Sequence, residues 1–385
     1  MKILHVCLAN FYIDHCGYQE NILPRMNKDD GHEVKILAST ETYVDGRFAY
    51  VEPNTYFNED GIEVTRLPYR RFAPHALMKK LRYYKGVSAY LDEFAPDAIL
   101  YHGNGGHGIV EVLGYVKSHP EVLFYVDSHE SFGNSGKNWL SKNVLHRVFG
   151  RYCYQRAAPY VKKLLCIAPE CYPFLEELYG VEREDMELFP LGGVILSEKD
   201  YHELRAKKRV DLGYSDTDLV FLHSGKLSEA KRTEVLLRVW EEGGLPECCK
   251  LLISGVAHGE VLACIESALK KDPRIRYLGW ADAKDLKSLM CAADVYLQPG
   301  TPSASLQEAM CSHCAVAVRK GTGYYELFSD SIWYVDSAED VADLIFHIAN
   351  DGGFLERFQG SAFDVAGRML DYKVLARRFL SQGAS

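Results

Sequence analysis

FLHSGKLSEAKRTEVLL, residues 221–237, carries three signals in a short space. An apolar run stops at Ser224-Gly225, a brief polar stretch holds Lys226 and Lys231, and a helical pattern starts near Thr233. Strands buried on both faces of a sheet read as unbroken apolar runs, and glycine lets the backbone turn into the next helix. The stretch reads as strand, turn and crossover helix, the repeating unit of a parallel sheet.

The same unit recurs in two series. The first holds KILHVCLA (from Lys2), EVKILAS (from Glu33), AILYHG (from Ala98), LFYVDS (from Leu123) and KLLCIAP (from Lys163). The second holds LVFLHSG (from Leu219), KLLISG (from Lys250), IRYLG (from Ile275), VYLQPG (from Val295) and AVAVRKG (from Ala315). Between them, Gly192-Gly193 followed by a charged run reads as a hinge and connector. The pattern predicts an α/β chain of two Rossmann-like domains, residues 1–193 and 194–366, each with a parallel sheet. Helical periodicity near the end, with Leu370, Val374 and Leu375 as one apolar face, predicts that residues 367–385 return to the first domain. Asp60-Gly61 in NEDGIEVTRLPY predicts an inserted hairpin.

Composition narrows the function. The 385 residues exceed the roughly 250–300 at which one core stops growing, so two domains are expected. With 47% hydrophobic and 25% charged residues the chain is globular, and a net charge of -9 argues against a nucleic-acid backbone as main partner. Eleven cysteines without a regular framework read as reduced thiols, and no apolar stretch is long enough to span a bilayer. Ile3–Ala9 reads as a first strand, not an export signal, so a cytoplasmic location is expected.

Ligands of parallel sheets sit at the carboxyl ends of strands, which selects the residues to watch. Gly225 permits close backbone approach, the helix from Thr233 offers unpaired N–H groups, and Lys226 and Lys231 can neutralise a diphosphate. The two lysines read equally well as solvated loop residues. In ADVYLQPGTPSASLQEAM (from Ala293), Gly300, Thr301, Ser303, Ala304 and Ser305 lead into a helix whose start can face an anion. Glu308 in that helix can accept from ribose hydroxyls, or is simply a helix-start acid favoured by the dipole. His129 follows LFYVDS with Glu130 beside it, and His102, Asn104 and His107 follow AILYHG. Cys311, His313 and Cys314 lack the second pair a zinc site requires.

The ordered set resembles the GT-B glycosyltransferases of family 4 over nearly the whole chain. The resemblance rests on GHEVKILAS (from Gly31), DGIEVTRLP (from Asp60), DSHESF (from Asp127), SGKL with Lys231, LGWADAKDLKSLMCAADVYLQPG (from Leu278), and LQEAM followed by VAVRKGTGYYEL. More narrowly, YQENILPRMNKDDGHEV (from Tyr18) and NWLSKNVLH (from Asn138) look like a bacterial branch that decorates surface glycans.

The resemblance implies two domains with a cleft between them, a nucleotide-diphosphate sugar as donor in the second domain, and retention of anomeric configuration without metal or cofactor. It implies that Lys226 and Lys231 hold the diphosphate, that Glu308 holds the ribose and that Trp280 flanks the base. Gly17 in the loop after the first strand approaches the diphosphate, and His129 orients acceptor or donor sugar. His102, Asn104, His107 and Glu130 are implied acceptor contacts. One departure stands out: the family pattern has two glutamates separated by seven residues, and here Glu308 matches the second while Gly300 occupies the first. The implied acceptor is a glycan or lipid-linked glycan. Rival readings are a nucleotide-sugar epimerase of the same fold, a catalytically silent sugar-binding subunit and a two-lobed solute-binding protein.

Two segments are basic and free of acids: seven Lys or Arg from Arg66 to Lys85, and seven from Lys137 to Lys163. Leu77, Leu81, Tyr84 and Leu91 in one, and Leu140, Val144, Val148 and Tyr152 in the other, recur at helical spacing. Each reads either as a helix resting on anionic lipid or as a core helix with solvated lysines.

Overall fold

The computed structural model describes residues 1–381 except 45–46, 243, 322 and 324–326. Part of the VAVRKGTGYYEL stretch and residues 382–385 therefore lie outside the described residues. The chain forms two compact units, Met1–Pro190 with Lys373–Ser385, and Leu191–Tyr372.

In the first unit β1 (Lys2–Cys7), β2 (Glu33–Ser39), β5 (Thr55–Phe57), β6 (Glu63–Leu67), β7 (Ala98–Tyr101), β8 (Leu123–Ser128), β9 (Leu164–Cys166) and β10 (Met186–Leu188) form one sheet, in the order β10-β9-β8-β7-β1-β2-β6-β5. All pairs are parallel except the expected β5–β6 hairpin, where Gly61 takes φ 63° at the turn. A separate antiparallel hairpin, β3 (Glu41–Val44) and β4 (Arg47–Tyr50), has no apolar alternation strong enough to predict it. The helix Tyr372–Ser381 belongs to this unit: Leu375, Ala376 and Phe379 are buried, and Arg377 pairs with Asp30 at 2.5 Å. Val374, expected on the buried face, is exposed instead. Leu375, Ala376 and Phe379 span the inward arc of the helix, and Val374 falls on the opposite side.

The second unit holds β11 (Leu219–Leu227), β12 (Cys249–Ala257), β13 (Ile275–Tyr277), β14 (Val295–Gln298), β15 (Ala315–Arg319) and β16 (Trp333–Val335), all parallel, ordered β13-β12-β11-β14-β15-β16. Side chains pack on both faces of this sheet, which explains the unbroken apolar runs. β11 does not stop at Gly225 as expected but pairs with β12 through Leu227 and Ala257. The reason is a cross-strand glycine pair. Gly225 (φ 137°) faces Gly255 (φ 145°), and a Cβ on Gly255 would lie 1.9 Å from the Gly225 carbonyl oxygen. Two strands that close stay paired only without side chains there.

Candidate functional site

The carboxyl end of β11 leads through a single 3-10 turn, Glu229–Lys231, into the helix Thr233–Glu241. His223 fixes this junction. Its Nδ1 meets the Leu297 carbonyl at 2.7 Å and its Nε2 the Thr233 hydroxyl at 3.1 Å. Burial holds its pKa down at about 4, so the ring is a neutral strut.

The turn buries Lys231, which is 8% exposed, while Lys226 on the strand is exposed. The Lys231 ammonium donates to the Thr301 carbonyl at 2.6 Å, and burial lowers its pKa. Among the described residues no carboxylate pairs with it. A buried ammonium without a counter-charge is costly, so the arrangement favours an anion from outside the chain.

Two glycines shape its surroundings. Gly225 would place a Cβ 3.6 Å from Lys231 Cε, an ordinary contact, whereas a Cβ on Gly300 would lie 2.2 Å from the Ala230 carbonyl oxygen and 2.6 Å from Lys231 Cα. The loop after β14 lies directly on the lysine turn, and Thr301 N donates to the Ala230 carbonyl at 2.8 Å. A glutamate, the usual residue at this point of the family pattern, does not fit at position 300 without moving the backbone.

The hydroxyls of the same loop are engaged locally. Ser303 and Ser305 bond each other at 2.6 Å, Ser305 bonds Tyr296 Oη at 2.6 Å, and Gln298 Nε2 donates to Ser303 Oγ. They anchor the loop and need no ligand to satisfy them. Ala304 is the residue ahead of the helix Ser305–Met310, which has only six residues and so presents less of an aligned N-terminus than expected. Tyr296 and Gln298 were not signalled by the sequence, because buried polar residues in an apolar strand look like ordinary strand residues.

Glu308 is already partnered. Its Oε1 pairs with Lys287 Nζ at 2.5 Å, and its Oε2 accepts from Val194 N at 3.2 Å, beside Gly193. Burial works against the Lys287 charge, but Glu308 more than offsets this and raises its pKa. Lys287 has no sequence signal beyond a charge on an amphipathic helix. Across the same sheet end, the Gly279 carbonyl accepts from Gly255 N at 2.7 Å and Ser254 Oγ at 3.1 Å. The adjacent Trp280 stands 65% exposed.

In the first unit, a buried polar chain crosses the carboxyl ends of β1, β7 and β8. Asn27 Nδ2 donates to the Ala376 carbonyl at 3.1 Å, so its Oδ1 accepts from His5 Nε2 at 3.0 Å. His5, neutral because burial drives its pKa to about 3, then accepts at Nδ1 from His102 Nε2, also at 3.0 Å. His102 Nδ1 donates to Asp127 Oδ2 at 2.6 Å. Both ring nitrogens of His102 are thus engaged within the chain, one by His5 and one by Asp127.

Asp127 also accepts from Gly103 N at 2.7 Å and lies 3.5 Å from His129 Nε2. Burial works against the Asp127 carboxylate, but His102 and His129 outweigh it and hold its pKa far below the ordinary range. Burial likewise opposes the His129 charge, and Asp127 overcomes it, raising that pKa to about 9. His129 is therefore charged at neutral pH, and among the described residues neither ring nitrogen is hydrogen-bonded, Nε2 being buried beside Asp127. Glu20, bonded by Asn10 Nδ2 at 3.3 Å, adds to the field that holds this charge.

The expected acceptor contacts divide. His102 is fully buried with both nitrogens engaged, so it positions Asp127 and has no nitrogen free for an acceptor. Asn104 is fully buried with neither amide atom hydrogen-bonded. His107 stacks on Tyr83 at 3.8 Å, and burial lowers its pKa. Glu130 accepts from Tyr179 Oη at 3.1 Å, and burial raises its pKa. Gly17 is exposed in the loop between β1 and the helix Gln19–Asp29.

All eleven cysteines are free, and no group of three or more His, Cys, Asp or Glu among the described residues is arranged to hold a metal ion.

Two family patterns match the chain: the Glycosyl transferase 4-like domain over residues 23–192, and Glycosyl transferases group 1 over residues 205–363. No curated protein sequence matches it. Its fold is similar to crystal structures of HepE from Anabaena with UDP and glucose (16% identity, 100% of this chain and 99% of that one, TM-score 0.64) and of WaaG, a glycosyltransferase of lipopolysaccharide biosynthesis (17%, 98% and 98%, 0.60). Sucrose-phosphate synthase from Thermosynechococcus elongatus is similar too (13%, 98% and 97%, 0.63). With both domain patterns matched in order, the chain belongs to the family 4-like glycosyltransferases of the GT-B fold.

Proposed function

We propose that the chain moves a sugar from a nucleotide-diphosphate sugar to the hydroxyl of a glycan or lipid-linked glycan, with retention at the anomeric carbon and without metal or cofactor. The observation that carries this reading is Lys231, a buried ammonium at the end of β11 with no carboxylate beside it among the described residues. A diphosphate supplies the missing charge. The HepE complex with UDP-glucose supports a uridine diphosphate donor as the first to test.

As the anomeric C–O bond breaks, negative charge grows on the leaving diphosphate while the sugar becomes oxocarbenium-like. Lys231, fixed by Thr301, meets that charge without rearranging, and exposed Lys226 adds to the field. One preorganised donor of this kind is worth about 10²- to 10³-fold in rate. The leaving phosphate takes the acceptor's proton, so no protein base is required. The charged ring of His129 orients sugar hydroxyls through Nδ1, with Asp127 and His102 holding it in place. Glu308 retains acceptor lone pairs for the ribose, and Trp280 offers an exposed face to the base.

Thermal-shift titration with UDP-, GDP-, dTDP- and ADP-sugars tests the reading. One class is expected to raise the melting temperature, since a hundredfold excess over Kd stabilises by about 2.7 kcal/mol. Lys231→Ala is expected to flatten that response, and an undiminished shift in this variant would refute the diphosphate assignment. Acceptor-dependent UDP release separates transfer from epimerisation, and the anomeric proton coupling of the product reports retention.

A further inference from the structure

The two basic segments of the sequence resolve differently, and one of them is left with an apolar face that the protein does not cover. In the first, Met78, Tyr84 and Leu91 enter the core and Arg66 is a buried clamp, bonded to the Ser39 and Tyr12 carbonyls and paired with Asp14 at 3.0 Å. Its short helix, His75–Leu81, buries Met78 and leaves Leu77 as the one exposed member of its stripe.

The second segment is one continuous helix from Trp139 to Ala157, wound with wide i→i+5 turns over Ser141–Gly150 and as an α-helix from Arg151. Its inner face is complete without the stripe read from the sequence. His146, Gly150, Cys153, Tyr154 and Ala157 are buried, and His146 Nδ1 bonds Tyr179 Oη at 3.0 Å. Gly150 presses so closely that a Cβ would lie 2.7 Å from that oxygen.

The stripe itself faces outward: Leu140 is 62% exposed, Val144 43%, Val148 63% and Tyr152 58%, with Trp139 72% exposed at the helix start. Wide turns keep residues four apart near one face. Lys137, Arg151 and Arg156 are exposed on the same segment. Lys142 and Arg147 share Glu177 from a neighbouring helix, and Lys162 and Lys163 lie beyond the helix end, so the charge beside the stripe is that of Lys137, Arg151 and Arg156. A row of aliphatic side chains rimmed by cations, with an aromatic residue at one end, matches the interface of an anionic bilayer, which takes apolar groups into its acyl boundary and basic ones among its headgroups.

We propose that the helix Trp139–Ala157 docks this chain on an anionic lipid surface. Docking goes beyond the proposed reaction and does not depend on it. If the reaction reading also holds, the acceptor is a lipid-linked glycan, because the inner face of the same helix reaches Glu130, 3.6 Å from His146 Nδ1.

Sedimentation of the full chain with vesicles of phosphatidylcholine, or of phosphatidylcholine and phosphatidylglycerol in equal parts, tests the docking. Binding to the mixed vesicles is expected, weakening as salt rises. Removing Lys137, Arg151 and Arg156 as glutamines is expected to weaken it by on the order of a hundredfold, about fivefold per charge. The triple variant Leu140→Gln, Val144→Gln, Val148→Gln is expected to remain in the supernatant while keeping the wild-type nucleotide-sugar thermal shift. No binding by the wild type, equal binding to both vesicles, or variants that bind as well as the wild type would overturn the proposal. So would a concentration-dependent dimer that the apolar variant dissolves, since the stripe would then cover a second copy.

Discussion

At the carboxyl end of β11 a lysine is buried with no carboxylate beside it, whereas at the carboxyl end of β8 a carboxylate is buried between two histidines. Both strands lie in parallel surroundings and lead into loops, yet one charge is left open and the other is closed within the protein. An open charge needs a ligand, and a closed one fixes geometry. In the second unit the buried Lys231 meets only a carbonyl, and in the first Asp127 is enclosed by His102 and His129.

The sharpest way to break this contrast is Lys231→Ala. Transfer is expected to fall by about 10²- to 10³-fold. Stability without nucleotide is not expected to fall, because the removed ammonium had no counter-charge. Lys226→Ala, at an exposed position, is expected to cost far less. Equal losses in the two variants would show that burial does not distinguish the lysines, and steady-state kinetics with urea denaturation reads both quantities.

Next in size is Gly300→Ala. Its Cβ would lie 2.2 Å from the Ala230 carbonyl oxygen, so the loop must shift. Overpacking of this kind costs about 1–3 kcal/mol. The variant is expected to melt lower and to lose donor affinity in parallel, since the same displacement moves Thr301 away from Lys231. A fully stable variant with normal affinity would mean that the loop and the lysine turn are not coupled.

The closed charge is tested by Asp127→Asn. His129 is raised to about 9 by Asp127 against the effect of burial. Without the carboxylate, burial is unopposed and the pKa is expected below the ordinary value of about 6.5. The alkaline limb of the activity profile should move from near pH 9 to below about 6.5, with about thirtyfold less charged enzyme at pH 8. Stability follows the same sign. A raised histidine pKa contributes fully below the unfolded value and is lost as pH passes about 9, so wild-type urea midpoints should decline from pH 6.5 to pH 9, and more weakly in the variant.

The two ends also differed in how much of them the sequence showed. All ten strands that read as apolar runs form, because burial on both faces leaves a local signature. The lysine turn was visible for a related reason: glycine and lysine at a strand end are both locally unusual. The partnership of Gly300 with Ala230 was not visible, since it joins residues seventy apart. The chain from Asn27 through His5 to Asp127 was equally hidden, since each member alone is an ordinary polar residue in or beside a strand or helix. His102 was placed correctly at a strand end, but its task depends on which nitrogens are taken, and only three-dimensional partners decide that.

The smallest effect is expected at Glu308, where the open end borrows a feature of the closed one. The carboxylate is held by Lys287 and Val194 N, so on its contacts alone it ties the hinge residues to the sheet, while its spare lone pairs leave room for a ribose. Glu308→Gln keeps the shape and removes the charge. A ribose contact predicts a severalfold loss in affinity for a nucleoside diphosphate and none for inorganic pyrophosphate, a loss of about 1 kcal/mol for a hydrogen bond weakened by neutralising its acceptor. If affinity falls for both ligands alike, Glu308 acts through the position of the hinge and the lysine turn. If neither changes while the melting temperature drops, it serves only to balance Lys287, and the second sheet end then holds a closed pair of its own.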